Sequence, residues 1–430
     1  CTKDTNRSVH LFQWNISKRI IQQNPFYPHY PPNPKPHSAA RRVSSIPQVK
    51  INFPMKKILF LLSCLYACQS KPTSPPAAQP DERPIVFAGT YTQKLGHVDG
   101  KATGIYTCRF DASTGALIVT DTVGGIDNPS FVCVSPDKKY LYAVAEAGGT
   151  PDRAMGGVAA FRILEGGKLQ KINEVSSYGV APCHISTDQS GKFVLVANYV
   201  TGNVATYSVQ TDGTLSDSLC VVQHPGKSPW AHMILPSPDG ATIWSVDKGI
   251  DRVFMYSLSE EGKLKEQFSF STAKGAGPRH LDFNPVQPDQ FAVINENSST
   301  LNYYRKEREF DIRRLDSLST LPAGFKENNT CADVHFHPNG KFLYGSNRGH
   351  NSIAVYGVDT QTGKLTLLQH PSTLGLIPRN FLVTPDGKWL LVANQNSSTV
   401  ASFRIDPATG LLSPAGQPSA VPTPVCLKMM

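Results

Sequence analysis

Residues Ile377–Gln395 read IPRNFLVTPDGKWLLVANQ: an apolar run, a Pro-Asp-Gly turn, and a second apolar run ending on a polar pair. Two apolar runs joined by such a turn predict a β-hairpin. The same figure recurs along the chain. It reads NPSFVCVSPDKKYLYAVAE from Asn128, APCHISTDQSGKFVLVANY from Ala181 and SPWAHMILPSPDGATIWSVDK from Ser228. It returns as GPRHLDFNPVQPDQFAVINE from Gly277 and CADVHFHPNGKFLYGSNRG from Cys331. Each copy is followed by a third alternating run, such as DRVFMYSLSEEGKL or NSIAVYGVDTQTGKL, with a fourth strand after its turn. Four short antiparallel strands in a unit of about 40 to 50 residues mark the blade of a β-propeller.

Six complete units leave two fragments, which complement one another. Pro84–Thr122 supplies the second, third and fourth strands of a blade, and the C-terminal TPVCLKMM supplies a first strand with nothing after it. The expected fold is therefore all-β, a seven-bladed β-propeller with four antiparallel strands per blade. N- and C-terminal strands close the ring in one blade and leave no open sheet edge. A string of sandwich domains would not leave complementary halves at its ends.

The net charge of +9 first suggests a nucleic-acid or anionic-membrane partner, but its distribution leaves no basic patch of that kind on the folded body. Residues 1–54 hold eight Lys/Arg against the single acid Asp4, and Lys56 and Lys57 supply the remaining excess, so the rest of the chain is neutral overall. No nucleic-acid partner is expected. Residues 1–54 are a basic, Pro-rich leader that cannot pack a core, read as disordered or as an extension of the gene ahead of Met55. Residues 55–68, beginning MKKILFLL, have the charged start and short apolar run of a secretory signal. Leu65-Tyr66-Ala67-Cys68 resembles a bacterial lipobox with Cys68 as the lipidated residue, and residues 69–83 form a linker ahead of the propeller domain at 84–430. These features predict an exported protein, lipid-anchored in the bacterial envelope, touching membrane through that anchor alone. Cys108, Cys133, Cys183, Cys220, Cys331 and Cys426 lie scattered in strand-like runs without ligand spacing, predicting buried thiols, no metal site and no cofactor. Nothing in the composition assigns an oligomeric state.

In a propeller the first strands line the central channel, so polar residues at their starts converge although they lie about 50 residues apart. The candidates are His184, His232, Arg279 with His280, Asp333, and Arg379 with Asn380. A second ring comes from the ends of second strands: Glu146, Asn198 with Tyr199, Asp247, Asn295 with Glu296, Asn347 with Arg348, and Asn394 with Gln395. Turns call for Gly, Asn, Asp and Pro, but not for His, Arg and Glu at equivalent ends of several blades. That grouping fits an acid, base and anion-binding constellation.

The stretches GPRHLDF with its INE, CADVHFHPNGKFLYGSNRG, IPRNFLVTPDGKWLLVANQ and the opening FAGTYT resemble the lactonase family of seven-bladed propellers. That family includes propeller-type 6-phosphogluconolactonases and is similar to fungal carboxymuconate-lactonizing enzymes; the likeness runs from about Pro84 to Cys426. It implies hydrolysis, or the reverse closure, of a small lactone without metal or organic cofactor. By motif it carries catalytic roles to His232, Arg279, Glu296 and Arg348, with either Glu296 or His232 as general base. Arg279 and Arg348 would hold a carboxylate or phosphate and the oxyanion. His184, His280, Asn347, Asn394 and Gln395 would be further substrate contacts. An exported enzyme would meet an unphosphorylated sugar lactone, or another substrate outside the inner membrane. A surface propeller that binds a glycan or protein is the alternative function. A calcium-dependent lactonase would need more carboxylates in one place than Glu146, Asp247, Glu296 and Asp333, which are spread over separate blades.

Overall fold

A computed structural model describes residues 81–150 and 153–430. The basic leader, the signal segment, Cys68 and nearly all of the linker lie outside the described residues. The described chain forms seven four-stranded antiparallel sheets, plus one two-stranded hairpin, Lys94–Leu95 with Val98–Asp99. Blades 2 to 7 run in chain order, with innermost strands Val132–Val134, Pro182–Thr187, Ala231–Pro236, Pro278–Phe283, Thr330–Phe336 and Pro378–Val383. Blade 1 takes its innermost strand, Pro424–Met429, from the C-terminus and the next three, Ile85–Thr90, Ile105–Phe110 and Leu117–Val123, from the start of the domain. Val425, Cys426 and Leu427 are fully buried in that closing strand, so the two ends of the domain are held by core packing as well as by the ladder.

The repeated Ser/Thr-Pro-Asp turn explains why each first hairpin forms. The Thr384 hydroxyl donates to Asp386 Oδ1 at 2.6 Å and accepts from the Trp389 backbone at 3.1 Å, and Gly387 takes the left-handed φ of 70° that closes the turn. Ser135 with Asp137 and Ser237 with Asp239 repeat the arrangement. Between blades, apolar second and third strands pack face to face; Trp244, Trp389, Tyr142 and Phe161 are among the largest fully buried side chains. All six described cysteines are free thiols and five are buried, as their strand-like settings suggest.

Candidate active site

Two local rules of the fold build the channel mouth. First, the residue just after each second strand occupies one equivalent place, because its backbone N–H donates to the carbonyl that precedes the blade's first strand. This holds for Tyr91 to Thr423, Glu146 to Asn128, Tyr199 to Ala181, Lys248 to Trp230, Glu296 to Gly277 and Gln395 to Ile377. Arg348 reaches the same place through its pairing with Thr330. Second, the start of the first strand is bulged. Pro278 faces Asn295 but His280 faces Ile294, so Arg279 is extra in the ladder, and the register skips Cys183, His232 and Arg379 in the same way. A bulge suspends the in-out alternation of a strand, so consecutive residues such as Arg279 and His280 both turn toward the channel.

These rules bring three cations onto Glu296. Its carboxylate lies 2.5 Å from Lys248 Nζ, 2.9 Å from Arg348 Nη2 and 3.1 Å from Arg279 Nε. Burial opposes its ionisation, but Arg348, Lys248 and Arg279 outweigh that and hold the carboxyl well below the usual range. Arg279 Nη1 donates to the Ala332 carbonyl at 2.5 Å, and Arg348 Nη2 to the Cys331 carbonyl at 2.8 Å. Burial, then the neighbouring Arg348 and Arg379, push Arg279 down to about 10, which leaves it charged at neutral pH. The hairpin register places Pro278 opposite Asn295, so Arg279 and Glu296 are neighbours at the same end of the hairpin.

His232 belongs to this upper tier. The bulge register aligns it with Arg279 and Arg379, and Met233 takes the level of His184 and His280. Its buried ring stands edge-on to Tyr199 and to His280, with centroids 5.5 and 5.2 Å away, and its Nδ1 has no hydrogen-bond partner. Burial and the charge of Arg279 push its imidazole well below the usual value, so it is neutral at pH 7. Below it, His280 Nδ1 pairs with Asp333 Oδ1 at 2.7 Å, and its Nε2 lies 3.4 Å from Arg279 Nη1. With its pKa pushed down to about 4 by burial and Arg279, His280 is neutral, donating through Nδ1 and accepting through Nε2. Asp333 also accepts from His335 Nε2 at 3.0 Å and from Asn380. His184 lies 5.6 Å from His280, centroid to centroid, and its Nδ1 accepts from the Ile234 backbone at 3.4 Å.

Glu296 thus meets Arg279 and Arg348 directly in one mouth, and His232 is linked to them through the ring of His280, with His184 beneath. Gln395 shares the tier of Glu296, and its buried Oε1 has no partner. Asn347 and Asn394, expected to face substrate, do other work. The Asn347 amide donates to the Thr320 carbonyl at 2.7 Å and to Ser352, and its carbonyl accepts from Thr320 and Asn329. Asn394 donates to the Thr373 carbonyl at 2.8 Å, as Asn198 does to Ser177 at 2.9 Å. These residues at or one short of the ends of second strands pin the loop that arrives from the previous blade; Asp247 does so by accepting from Trp230 N and from His224. Strand alternation separates the two jobs: the clamp points into the loop and the next residue points into the channel.

Sequence reasoning stopped at Asp247 and missed Lys248, although one step past the clamp is the position that also supplies Glu296 and Gln395. It missed Tyr91, whose blade begins without a first strand in sequence. Tyr91 donates to both Glu146 carboxylate oxygens at 2.8 and 2.9 Å and accepts from Arg379 Nη2 at 3.0 Å. Among the described residues no group of three or more His, Cys, Asp or Glu side chains is arranged to hold a metal.

Comparison with known proteins gives a consistent picture. The family profile described as lactonase, 7-bladed beta-propeller matches residues 85–429. A Bacillus subtilis 6-phosphogluconolactonase is 33% identical over 306 residues, 69% of this chain and 84% of that protein. The solved periplasmic gluconolactonase of Pseudomonas aeruginosa superposes with a TM-score of 0.73 at 30% identity, covering 81% of this chain and 99% of that one. A solved Bacteroides fragilis propeller gives a TM-score of 0.73 at 30% identity over 83% of this chain and all of its own.

Proposed function

The chain belongs to the lactonase family of seven-bladed β-propellers, and on that premise we propose that it hydrolyses a sugar lactone of the gluconolactone class in this channel mouth. The observation that carries the reading is the partnerless Nδ1 of neutral His232 beside three cations gathered on one carboxylate. Ring opening needs a base for water, positive charge at the carbonyl oxygen and a proton for the departing ring oxygen. Glu296, already spent on three cations, is a weak proton acceptor; its part is to fix Lys248, Arg279 and Arg348 in place. His232 takes the proton as water attacks the carbonyl carbon. The Lys248 ammonium and the Arg348 guanidinium stabilise the oxyanion. When the tetrahedral intermediate collapses, the carbon to ring-oxygen bond breaks and the imidazolium returns its proton to that oxygen, leaving the hydroxy acid.

Purified protein should accelerate opening of gluconolactone, followed by acid release at constant pH, and a rate equal to the spontaneous one across a panel of sugar lactones would sink the assignment. The signal-like stretch of residues 55–68 supports export with anchoring at Cys68, and on that reading the substrate would be met outside the inner membrane. Cys68→Ala should move the protein from the membrane to the soluble fraction; unchanged fractionation would remove the anchor.

A further inference from the structure

The place just past the second strand holds Tyr91 in blade 1 and Tyr199 in blade 3, and the two hydroxyls differ in what they have left to give. A phenol donates one hydrogen bond and accepts others. Tyr91 is fully buried; its proton goes to the Glu146 carboxylate at 2.8 Å and its oxygen accepts from Arg379 Nη2 at 3.0 Å. Tyr199 is only partly buried, and its hydrogen-bond partner among the described residues is Lys248, whose ammonium donates to the phenol oxygen at 3.4 Å. The proton of Tyr199 finds no acceptor among the described residues.

Packing, rather than a hydrogen bond of its own, fixes this phenol. Its ring lies at 32° to the indole of Trp230, with centroids 5.7 Å apart, and stands edge-on to His232 at 5.5 Å. Trp230 is anchored in turn: its backbone N–H donates to Asp247 Oδ1 at 2.8 Å, and its carbonyl accepts from Lys248 N at 3.0 Å. Nothing in the turn before a first strand calls for an indole, since Ala181, Gly277 and Ile377 fill the same place in blades 3, 5 and 7. The Lys248 ammonium lies 5.8 and 5.7 Å from the centroids of Tyr199 and Trp230 on its way to Glu296. Base, phenol and ammonium are therefore held against one another across the seam of blades 3 and 4.

We propose that Tyr199 is a further catalytic residue, its hydroxyl donating to the lactone carbonyl oxygen as that oxygen becomes the oxyanion, beside the Lys248 ammonium. Two donors 3.4 Å apart can both stand about 2.8 Å from one oxygen, so the pair defines a point for it. A donor already aimed at developing charge needs no reorganisation during the reaction. Burial, then the charge of Glu296, pushes the phenol well above its usual value, so Tyr199 gives a hydrogen bond and keeps its proton. The proton of the attacking water still goes to His232. The inference rests on the lactonase reading and adds a donor to it.

Tyr199→Phe keeps the ring against Trp230 and His232 and removes the hydroxyl alone. With gluconolactone as substrate its kcat should fall about 100-fold, the loss of one oxyanion donor, with KM changed less than about threefold. Its melting temperature should stay within about 2 °C of native, because the hydroxyl makes a single long contact. A cyclic phosphonate shaped like gluconolactone, whose charged oxygens stand in for the oxyanion, should bind the variant about 100-fold more weakly than the native protein, while gluconate binds both alike. Should Tyr199→Phe fail to fold, 3-fluorotyrosine at position 199 retains the hydroxyl and makes it more acidic; kcat should then change with phenol acidity, and an unchanged kcat overturns the proposal. An unchanged kcat in Tyr199→Phe, a loss confined to KM, or a phosphonate bound equally by both proteins overturns the role of Tyr199 and leaves the lactonase reading standing. A native protein that opens no sugar lactone overturns both.

Discussion

Replacing Glu296 with glutamine keeps the shape of the side chain and removes the charge that Lys248, Arg279 and Arg348 share. Each pair, at about 4 Å in an effective dielectric near 20, is worth roughly 4 kcal/mol of Coulomb energy. Repulsion among the three cations and the desolvation of the carboxylate offset much of that sum. Removing one partner from a buried ionic cluster typically costs about 3–5 kcal/mol. The side chains of Lys248, Arg348 and Glu296 are only 11, 11 and 12% exposed and that of Arg279 3%, so solvent will do little to soften the loss. At about 2 °C per kcal/mol, the lower end for large domains, Glu296→Gln should melt roughly 6–10 °C below the native protein.

A second substitution separates an organising carboxylate from an isolated one. Lys248→Met removes one of the stranded cations, so the double variant should recover at least about 1 kcal/mol relative to the sum of the singles. The pH dependence has a fixed sign. The folded carboxyl of Glu296 titrates below its unfolded value of about 4.3, so its contribution is complete above roughly pH 5 and is lost as the pH falls further. The glutamine variant lacks that contribution, and its melting temperature should fall less steeply on the acid side. Differential scanning fluorimetry across pH, on all four proteins, reads each of these. A melting temperature within about 1 °C of native, or strict additivity with Lys248→Met, would refute the account of Glu296 as the hub of the cluster.

Substituting His232 with Asn should cut kcat by about 10²- to 10⁴-fold if it carries the proton. Because burial and Arg279 keep its imidazole neutral well below pH 6.5, the native kcat/KM should stay level through about pH 6, and a fall centred near 6.5 would remove His232 as the base. Asn347→Ala breaks several buried hydrogen bonds of a loop clamp and should lower stability by about 2–4 kcal/mol; a raised KM with an unchanged melting temperature would restore it as a substrate contact. Deleting Pro424–Met429 removes the innermost strand of blade 1 with three buried side chains, each contributing about 1.5–3 kcal/mol. The truncated chain should give no cooperative melt, and a folded, monomeric product would contradict closure by that strand.

The fold was legible because a propeller repeats its local rules. The Pro-Asp turns, the alternation of apolar runs and the complementary ends of the chain are all short-range signals, and blades stack in chain order, so local signals suffice for the architecture. The site was legible only in part, because its members are set by offsets of one residue that a repeat alignment does not register. PWAH looks like the partner of APCH and GPRH, yet the register puts His232 level with Arg279 and seats Met233 beside the other histidines. Likewise the polar pairs at the ends of second strands look alike, whereas the pleat sends Asn347 into a loop and Arg348 onto Glu296. A one-residue slip in a strand exchanges the buried face for the open one. In this protein that exchange decides whether a side chain clamps two blades together or turns toward the channel, and Lys248 lies one such step beyond the last residue that the sequence pattern singled out in its blade.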